Sequence, residues 1–168
     1  MLKKWDQIIF FKLYNFTVTH RQFSKLVVLI TKYSSKIFSA VYISAVIYLI
    51  YNGDFRIKAF ILIPAAVYLT VKVIPFLYNR RRPFADFSLE ALVKQRSDHS
   101  FPSTHAASSL IISLVFLSIN LQLGVLMIFM AVLTAFSRIM VGVHYPSDIL
   151  GAWVTALTLN YLGSILLI

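Results

Sequence analysis

The chain has 168 residues, of which 59% are hydrophobic and only 13% are charged. Roughly 25% of the residues of an ordinary soluble domain are charged, and a domain of this size has too little interior to bury so many apolar side chains. The composition therefore excludes an ordinary water-soluble protein, and we expect the excess of apolar side chains to face lipid.

The formal net charge of +10 comes from 16 Lys and Arg against 6 Asp and Glu. A soluble nucleic-acid-binding module combines a basic face with a modest core and has no long uncharged runs, so we expect no nucleic-acid partner. The membrane bilayer, with its anionic lipids, is the expected partner instead. The chain has no Cys, which excludes disulfides, a thiol nucleophile and a thiolate metal site.

The first fifty residues are the hardest to divide into membrane spans, each of which needs ~20 largely apolar residues. The start of the chain carries Asp6 and no small-residue cleavage site, so we expect no removable signal peptide. A first helix is expected within residues 6–34, either as a tilted span or lying at the headgroup level, where the amphipathic run 8–14 would fit. The segment 23–33 is too short to span alone, and residues 37–51 form the next apolar segment.

Four apolar segments follow in the rest of the chain, at residues 59–78, 106–119, 121–137 and 149–168. A long polar segment, 79–100, separates the first two of these. The sequence thus predicts an all-α fold, a polytopic membrane bundle of about six helices. We expect a single integral-membrane domain over residues 1–168, and the sequence carries no signal for an oligomeric state.

The polar side chains in the second half of the chain are expected to meet at one membrane surface. In the last 70 residues, the only formally charged side chains are those of Arg138 and Asp148. If the chain crosses the membrane after His105 and returns to Arg138, then His105 and Arg138 lie at the same membrane surface. The segment 79–100 and the turn 142–148 lie at that surface too. Ionisable groups near lipid cost several kcal/mol unless they are paired or serve a cavity, so we interpret this set as a functional site.

Two helix ends supply groups that suit an anion. Arg82 follows a predicted span, where it is either an anchor for lipid headgroups or an anion ligand. Ser103 is a good N-cap for the helix that His105 opens, and its role can be purely structural. A helix N-terminus also presents free N–H groups and a positive dipole end, so these residues together favour a tetrahedral oxyanion such as phosphate.

His144 and Asp148 stand about one helical turn apart, and Asp148 lies near the start of the last predicted helix. The carboxylate can accept the Nδ1 proton of His144, which fixes the tautomer and leaves Nε2 bare as a nucleophile or base. The alternative is that Asp148 only starts the helix and that His144 lies at the interface. In phosphoryl transfer, one of the two histidines, His105 and His144, would attack phosphorus while the other protonates the leaving oxygen.

A metal site is the competing arrangement, because two His and one Asp can hold Zn²⁺ with an open position. The arginines argue against it, since Arg82 and Arg138 already supply positive charge where a cation would sit. We therefore expect neither a metal nor another cofactor at this site.

Three groups of residues resemble the motif of a known family. They are Arg82-Pro83, Pro102-Ser103-Thr104-His105, and Ser137-Arg138 followed by His144 and Asp148. This set resembles the three-part motif of the type-2 phosphatidic acid phosphatase superfamily, which vanadium haloperoxidases share. The resemblance implies a metal-independent phosphatase in which His144 forms a phosphohistidine, Asp148 orients it, and His105 is the general acid.

The phosphate ligands that the resemblance implies are Arg82, Ser103 and Arg138. The chain departs from the family pattern at two positions. Pro75 stands where the family has Lys, and we expect Lys72, almost one turn earlier, or else Arg80 or Arg81, to take that role. Thr104 replaces the family's Gly, and it can offer a hydroxyl to the phosphate.

Within the superfamily, the chain is most similar to the small bacterial undecaprenyl diphosphate phosphatases. These release phosphate from the lipid carrier of cell-wall sugars, at the extracytoplasmic side of the cell membrane. The alternatives are a phosphatidylglycerophosphate or phosphatidic acid phosphatase and, outside catalysis, a phospholipid-binding membrane protein or transporter.

Two further expectations concern the membrane surfaces. Residues 84–100 mix apolar and charged side chains, which we interpret as an amphipathic lid that admits lipid. Arg56 and Lys58, together with Lys3 and Lys4, favour the cytoplasm for the surface opposite the site if the bundle has six spans. We therefore expect the active site to face the extracytoplasmic side.

Overall fold

A computed structural model describes residues 2–167, apart from the side chain of Leu2, and these residues form seven α-helices and no strand. The helices are α1 (Leu2–Thr19), α2 (Arg21–Tyr51), α3 (Ile57–Leu77), α4 (Pro83–Asp86), α5 (Thr104–Leu117), α6 (Leu121–Met140) and α7 (Pro146–Leu167). The prediction of an all-α bundle of about six helices is confirmed, with the single-turn α4 as an addition. Met1 and Ile168, the ends of the predicted domain, lie outside the described residues.

Helices α2, α3, α6 and α7 are long and apolar enough to cross a membrane, and α5 is a shorter apolar helix of 14 residues. Many of their large apolar side chains are exposed, among them Ile47, Leu69 and Val154, each more than 60% exposed. A chain with this many outward apolar side chains in long helices is a multi-pass membrane protein.

The second helix differs from the prediction, because α2 is continuous from Arg21 to Tyr51. Hydropathy predicts two separate segments, residues 23–33 and 37–51, but the intervening Ser34, Ser35 and Lys36 do not break the helix. None of these residues has the backbone restriction of Pro or the entropic cost of Gly, so apolar packing on either side carries the helix through. At about 1.5 Å per residue, α2 is ~46 Å long and exceeds the hydrocarbon thickness.

The helices alternate in direction, so their ends gather at two opposite surfaces. At one surface α3 and α6 end and α5 and α7 begin; we call it the polar end. There the backbone N–H of Ser103 donates to the carbonyl of Asp148 over 3.1 Å. At the opposite surface Arg56, which precedes α3, donates to the carbonyl of Ser118, which follows α5.

Helix α1 lies across the polar end. Near its start, Asp6 accepts a hydrogen bond from the backbone N–H of Ser147 over 2.8 Å, and two turns later the hydroxyl of Tyr14 donates to the carbonyl of Glu90 over 2.7 Å. Both partners belong to connections or helix starts at the polar end. This placement favours the interfacial interpretation of the first helix over the tilted span.

The segment between α3 and α5 is pinned to the turn that follows α6. The N–H groups of Phe84 and Leu92 donate to the carbonyls of Gly142 and Val141. Leu92 and its neighbours also pack against a small cluster of Val27, Val141 and Val143. Only α4 is helical in residues 84–100, so the segment is largely a loop whose apolar side chains are partly buried against the protein. Its charged side chains, among them Lys94 and Arg96, are exposed, and its role as a lid stays a prediction.

Candidate active site

A cavity of about 840 Å³ opens at the polar end. Its lining includes Lys72 from α3, Arg82 from the following segment, Thr104 and His105 from the first turn of α5, and His144 from the turn before α7. Residues that are far apart in the sequence thus meet where the helix ends converge, as the topology predicts. The cavity combines three histidines, His99, His105 and His144, with cationic side chains.

Arg82 and His144 are in direct contact on the wall of this cavity. The Nη1 of Arg82 lies 3.1 Å from the Nε2 of His144, and it also donates to the carbonyl of Val143. The other guanidinium nitrogens of Arg82 donate to the carbonyls of Asp98 and His99 over 3.0 and 3.1 Å. A guanidinium has no acceptor, so Nε2 of His144 accepts the contact and carries a lone pair.

The contact between Arg82 and His144 bears on two expectations, that Nε2 of His144 is bare and that its ring proton is on Nδ1. Nε2 of His144 is not bare as expected, because the guanidinium of Arg82 donates to it. The lone pair is nevertheless on Nε2, which assigns the proton of the neutral ring to Nδ1, on the side of Asp148. The His144 lone pair therefore faces a cationic group that could hold a phosphate oxygen.

Asp148 is fully buried and holds a central position behind His144. Its Oδ2 lies 3.5 Å from Nδ1 of His144, and Nδ1 has no hydrogen-bond partner among the described residues. Oδ2 accepts hydrogen bonds from the backbone N–H of Tyr145, over 2.8 Å, and from the hydroxyl of Ser100. Oδ1 accepts from Nη1 of Arg80 over 2.8 Å. The carboxylate is thus fixed by three donors and stands next to Nδ1.

Burial decides the charge state of His144. Removal from water lowers the pKa of His144 to about 4, although the neighbouring carboxylate of Asp148 acts in the opposite direction. Burial also lowers the pKa of Arg82, to about 10, which still leaves this guanidinium charged at neutral pH. At pH 7, His144 is therefore a neutral imidazole beside a cation, which is the state that a nucleophile requires.

Ser103 and Thr104 differ in their placement. Ser103 is the N-cap of α5, with its hydroxyl accepting from the N–H of Ala106 over 3.5 Å, and it is fully buried. Thr104 lines the cavity. The structural role considered for Ser103 is therefore present, and of these two residues Thr104 is the one that lines the cavity.

Arg138 is buried in the last turn of α6 and lies behind the wall of the cavity. Its Nη2 donates to Oε1 of Gln95 over 3.2 Å, and Gln95 lines the cavity. Its Nε has no hydrogen-bond partner within residues 2–167. The guanidinium of Arg138 therefore has an N–H donor that no described residue uses. Its role as a phosphate ligand stays a prediction.

Lys72, Arg80 and Arg81, the three candidates for the role of the family's lysine, lie in different places. Lys72 lines the cavity together with Pro75, the residue at the family's lysine position. Arg80 turns away from the cavity and donates to the carboxylates of Asp6 and Asp148. Arg81 is exposed. The geometry favours Lys72, because it is the one of these three side chains that lines the cavity.

Sequence reasoning missed two residues of the site. Ser100 is fully buried and donates to Asp148, and Asp6 is buried against Arg80 and Ser147. No motif marks Ser100. Asp6 was visible as an isolated acid in a basic N-terminal segment, and that isolation was the available signal for a specific partner.

Metal-ligand geometry is not found among residues 2–167, where no group of three His, Asp or Glu side chains is placed to hold a metal ion. The side chains of Arg82, Lys72 and Arg96 line the cavity instead. This set of groups suits an anion.

The sequence of residues 56–166, more than half of the chain, matches the pattern of the PAP2 superfamily. The chain belongs to this superfamily. Its similarity to the undecaprenyl-diphosphatase BcrC of Bacillus subtilis (strain 168) is 39% identity over 90 residues, which cover 54% of this chain and 47% of that protein. An undecaprenyl-diphosphatase of Sulfolobus acidocaldarius is 31% identical over 97 residues, covering 55% of this chain and 46% of that one.

The matches thus span less than half the length of these curated relatives. The fold as a whole is similar to the crystal structure of LpxE from Aquifex aeolicus, with a TM-score of 0.75 and 22% identity over 94% of this chain and 93% of that chain. The structural similarity therefore extends over nearly the whole chain, including the N-terminal helices that precede the family match.

Substituting the two neighbouring arginines tests whether this cavity binds a tetrahedral anion. We expect Arg82→Gln to weaken the binding of tungstate, a phosphate analogue, by about tenfold or more, because charge-assisted hydrogen bonds are lost. Arg81→Gln removes the same charge from an exposed position and should leave the affinity within about twofold. Calorimetric titration of the purified variants in detergent measures both. Equal losses in the two variants would indicate non-specific charge attraction.

Proposed function

We propose that the chain, as one domain over residues 1–168, is a lipid phosphatase of the cell membrane. Its proposed reaction is the hydrolysis of undecaprenyl diphosphate to undecaprenyl phosphate and phosphate through a phosphohistidine. The observation that carries the proposal is the His144–Arg82 pair, which presents a neutral imidazole lone pair to a buried guanidinium in a cavity that also holds His105. The activity in the names of the relatives, undecaprenyl-diphosphatase, supports the substrate.

In the proposed first step, Nε2 of His144 attacks the terminal phosphorus and forms an N–P bond. The bond between phosphorus and the bridging oxygen breaks. His105, which takes up a proton when the anionic phosphate binds beside it, gives that proton to the bridging oxygen as the lipid phosphate leaves. The phosphorylated imidazole is cationic, and Asp148 stabilises it by accepting the Nδ1 proton in a hydrogen bond. The 3.5 Å between Nδ1 and Oδ2 shortens when the phosphate displaces the Arg82 contact.

In the second step, water attacks the same phosphorus. His105, now neutral, takes a proton from the water, and the N–P bond breaks to release inorganic phosphate and restore His144. Arg82, Arg138 and Lys72 balance the charge on the phosphate oxygens in both steps, and the hydroxyl of Thr104 and the N-terminus of α5 add donors. Ser103 keeps that N-terminus in place as its N-cap.

The apolar part of the cavity supports a lipid substrate. Phe38 and Tyr68, together with Val71, Phe76 and Ile112, line the same cavity as the cationic residues. These side chains come from helices long enough to span the membrane and from α5, so an acyl or prenyl chain can lie beside them while its phosphate reaches His144. Phosphatidylglycerophosphate and phosphatidic acid present the same chemistry and are the competing substrates.

Phosphate release by the purified protein tests the function. With undecaprenyl diphosphate, phosphatidylglycerophosphate and phosphatidic acid assayed in parallel, we expect the highest kcat/KM for undecaprenyl diphosphate. The activity should be unchanged by a chelator, because no step uses a metal. The kcat/KM of His144→Ala should fall at least about 1000-fold, since removing a covalent nucleophile removes the reaction path.

His20→Ala is the matched control, because His20 is exposed at the junction of α1 and α2. It should retain wild-type activity. Full activity in His144→Ala would refute the nucleophile, and loss of activity with chelator would show that a metal takes part. Binding of the three lipids without phosphate release would favour the phospholipid-binding protein or transporter.

We also propose that the polar end faces the extracytoplasmic side, as the resemblance to undecaprenyl diphosphate phosphatases implies. Lys3 and Lys4 do not support this orientation. The placement of α1 puts Lys3 and Lys4 at the polar end, whereas the six-span count put them opposite. Arg56 and Lys58 remain at the opposite surface and still favour the cytoplasm there.

The absence of Cys makes the orientation directly testable. Ser97 lies at the polar end and Asn52 at the opposite surface, and both are exposed. In intact bacterial cells, a membrane-impermeant maleimide should label Ser97→Cys and leave Asn52→Cys unlabelled. Both variants should react after lysis, which controls for exposure. The reverse pattern in intact cells would place the site in the cytoplasm.

A further inference from the structure

The buried carboxylate of Asp6 joins α1 to the candidate active site. Asp6 is 6% exposed, and its Oδ2 accepts from Nη2 of Arg80 over 2.7 Å. Its Oδ1 accepts from the backbone N–H of Ser147 over 2.8 Å, and the Ser147 hydroxyl donates to Oδ2. Ser147 is the second residue of α7, so Asp6 satisfies a free N–H at the start of the helix that carries Asp148.

Arg80 is the bridge between the two carboxylates. Its Nη1 donates to Oδ1 of Asp148 over 2.8 Å and to the hydroxyl of Ser147 over 2.6 Å. Its guanidinium lies 3.9 Å from the centroid of the Tyr145 ring, against which it stacks. Four groups therefore fix one guanidinium, and its position sets the position of Asp148 Oδ1.

The orientation of the Asp148 carboxylate determines what His144 meets. With Oδ1 held by Arg80, Oδ2 is the oxygen that faces Nδ1 of His144. Without Arg80 in this place, the carboxylate could rotate about its Cβ–Cγ bond, limited only by Ser100 and the N–H of Tyr145. Without Asp6, Arg80 keeps its charge but loses its partner on the side away from Asp148.

We propose that Asp6 and Arg80 are positioning residues that keep Oδ2 of Asp148 directed at Nδ1 of His144, so that α1 completes the active site. This inference rests on the proposed function. Neither residue lines the cavity, so neither is expected to touch the substrate. Asp6 also precedes the part of the chain that matches the superfamily, residues 56–166, which makes α1 a contribution outside the family match.

The experiment is a double-mutant cycle of Asp6→Ala and Arg80→Ala, read as kcat and KM for undecaprenyl diphosphate. Each single variant should lower kcat by about tenfold to a hundredfold, because a displacement of about 1 Å at the reacting groups has that effect. KM should change by less than about twofold, since the phosphate ligands remain. In the Arg80→Ala background, Asp6→Ala should have almost no further effect on kcat.

Asp6→Asn and Asp54→Asn complete the set. Asp6→Asn keeps an oxygen that can accept from Arg80 and should lower kcat less than Asp6→Ala does. It also provides a folded variant if Asp6→Ala does not assemble. Asp54 pairs with Arg56 at the opposite surface, so Asp54→Asn removes a comparable ion pair far from the site and should leave kcat unchanged. Elution volume and thermal stability in detergent identify the folded variants.

The outcomes separate the inference from the function on which it rests. Wild-type kcat in folded Asp6→Ala or Asp6→Asn would overturn the positioning role. Fully additive losses in the double variant, or a loss confined to KM, would overturn it as well, because both indicate independent action. A wild-type protein that releases no phosphate from any of the three lipids would refute the proposed function itself.

Discussion

The arrangement of the polar end depends on one buried carboxylate. Asp148 is fully buried, and its two oxygens accept hydrogen bonds from Arg80, Ser100 and the N–H of Tyr145. A charge removed from water costs several kcal/mol unless donors compensate it, so these segments are held together by the need to satisfy it. Through this carboxylate, the start of α7, the end of α3 and the loop before α5 take up fixed positions around His144.

The site divides into a wall that meets the cavity and a support behind it. His144, His105, Arg82, Thr104 and Lys72 line the cavity, whereas Asp148, Arg80 and Asp6 lie behind His144. The support is a chain of alternating charges from α1 to α7. In this chain one guanidinium lies between two carboxylates and compensates both in part, and the cationic wall is left free for an anion. The apolar helices then bring lipid to the edge of the same cavity.

The sequence predicted the residues of the wall and Asp148 behind it, but it missed Asp6 and the role of Arg80, for physical reasons. The one-turn spacing of His144 and Asp148 is local, and the placement of His105 and Arg138 at one surface follows from the direction of two adjacent helices. The contact between Asp6 and Ser147 joins residues 141 positions apart, and no local pattern encodes it. Arg80, Arg81 and Arg82 look alike in sequence, yet their side chains turn to the carboxylates, to the exterior and to the cavity. The continuity of α2 was missed because hydropathy marks membrane spans and does not mark helix breaks.

The central claim is that His144 carries the phosphoryl group, and direct detection of that intermediate tests it best. In His105→Ala, a lipid diphosphate analogue with a good leaving group should still phosphorylate the protein, because that step then needs no acid, while attack by water is slowed. Mass spectrometry should locate an acid-labile phosphate on the peptide that contains His144, and the label should vanish in the His105→Ala/His144→Ala variant. A label on another residue, or one that persists in the double variant, would contradict the account.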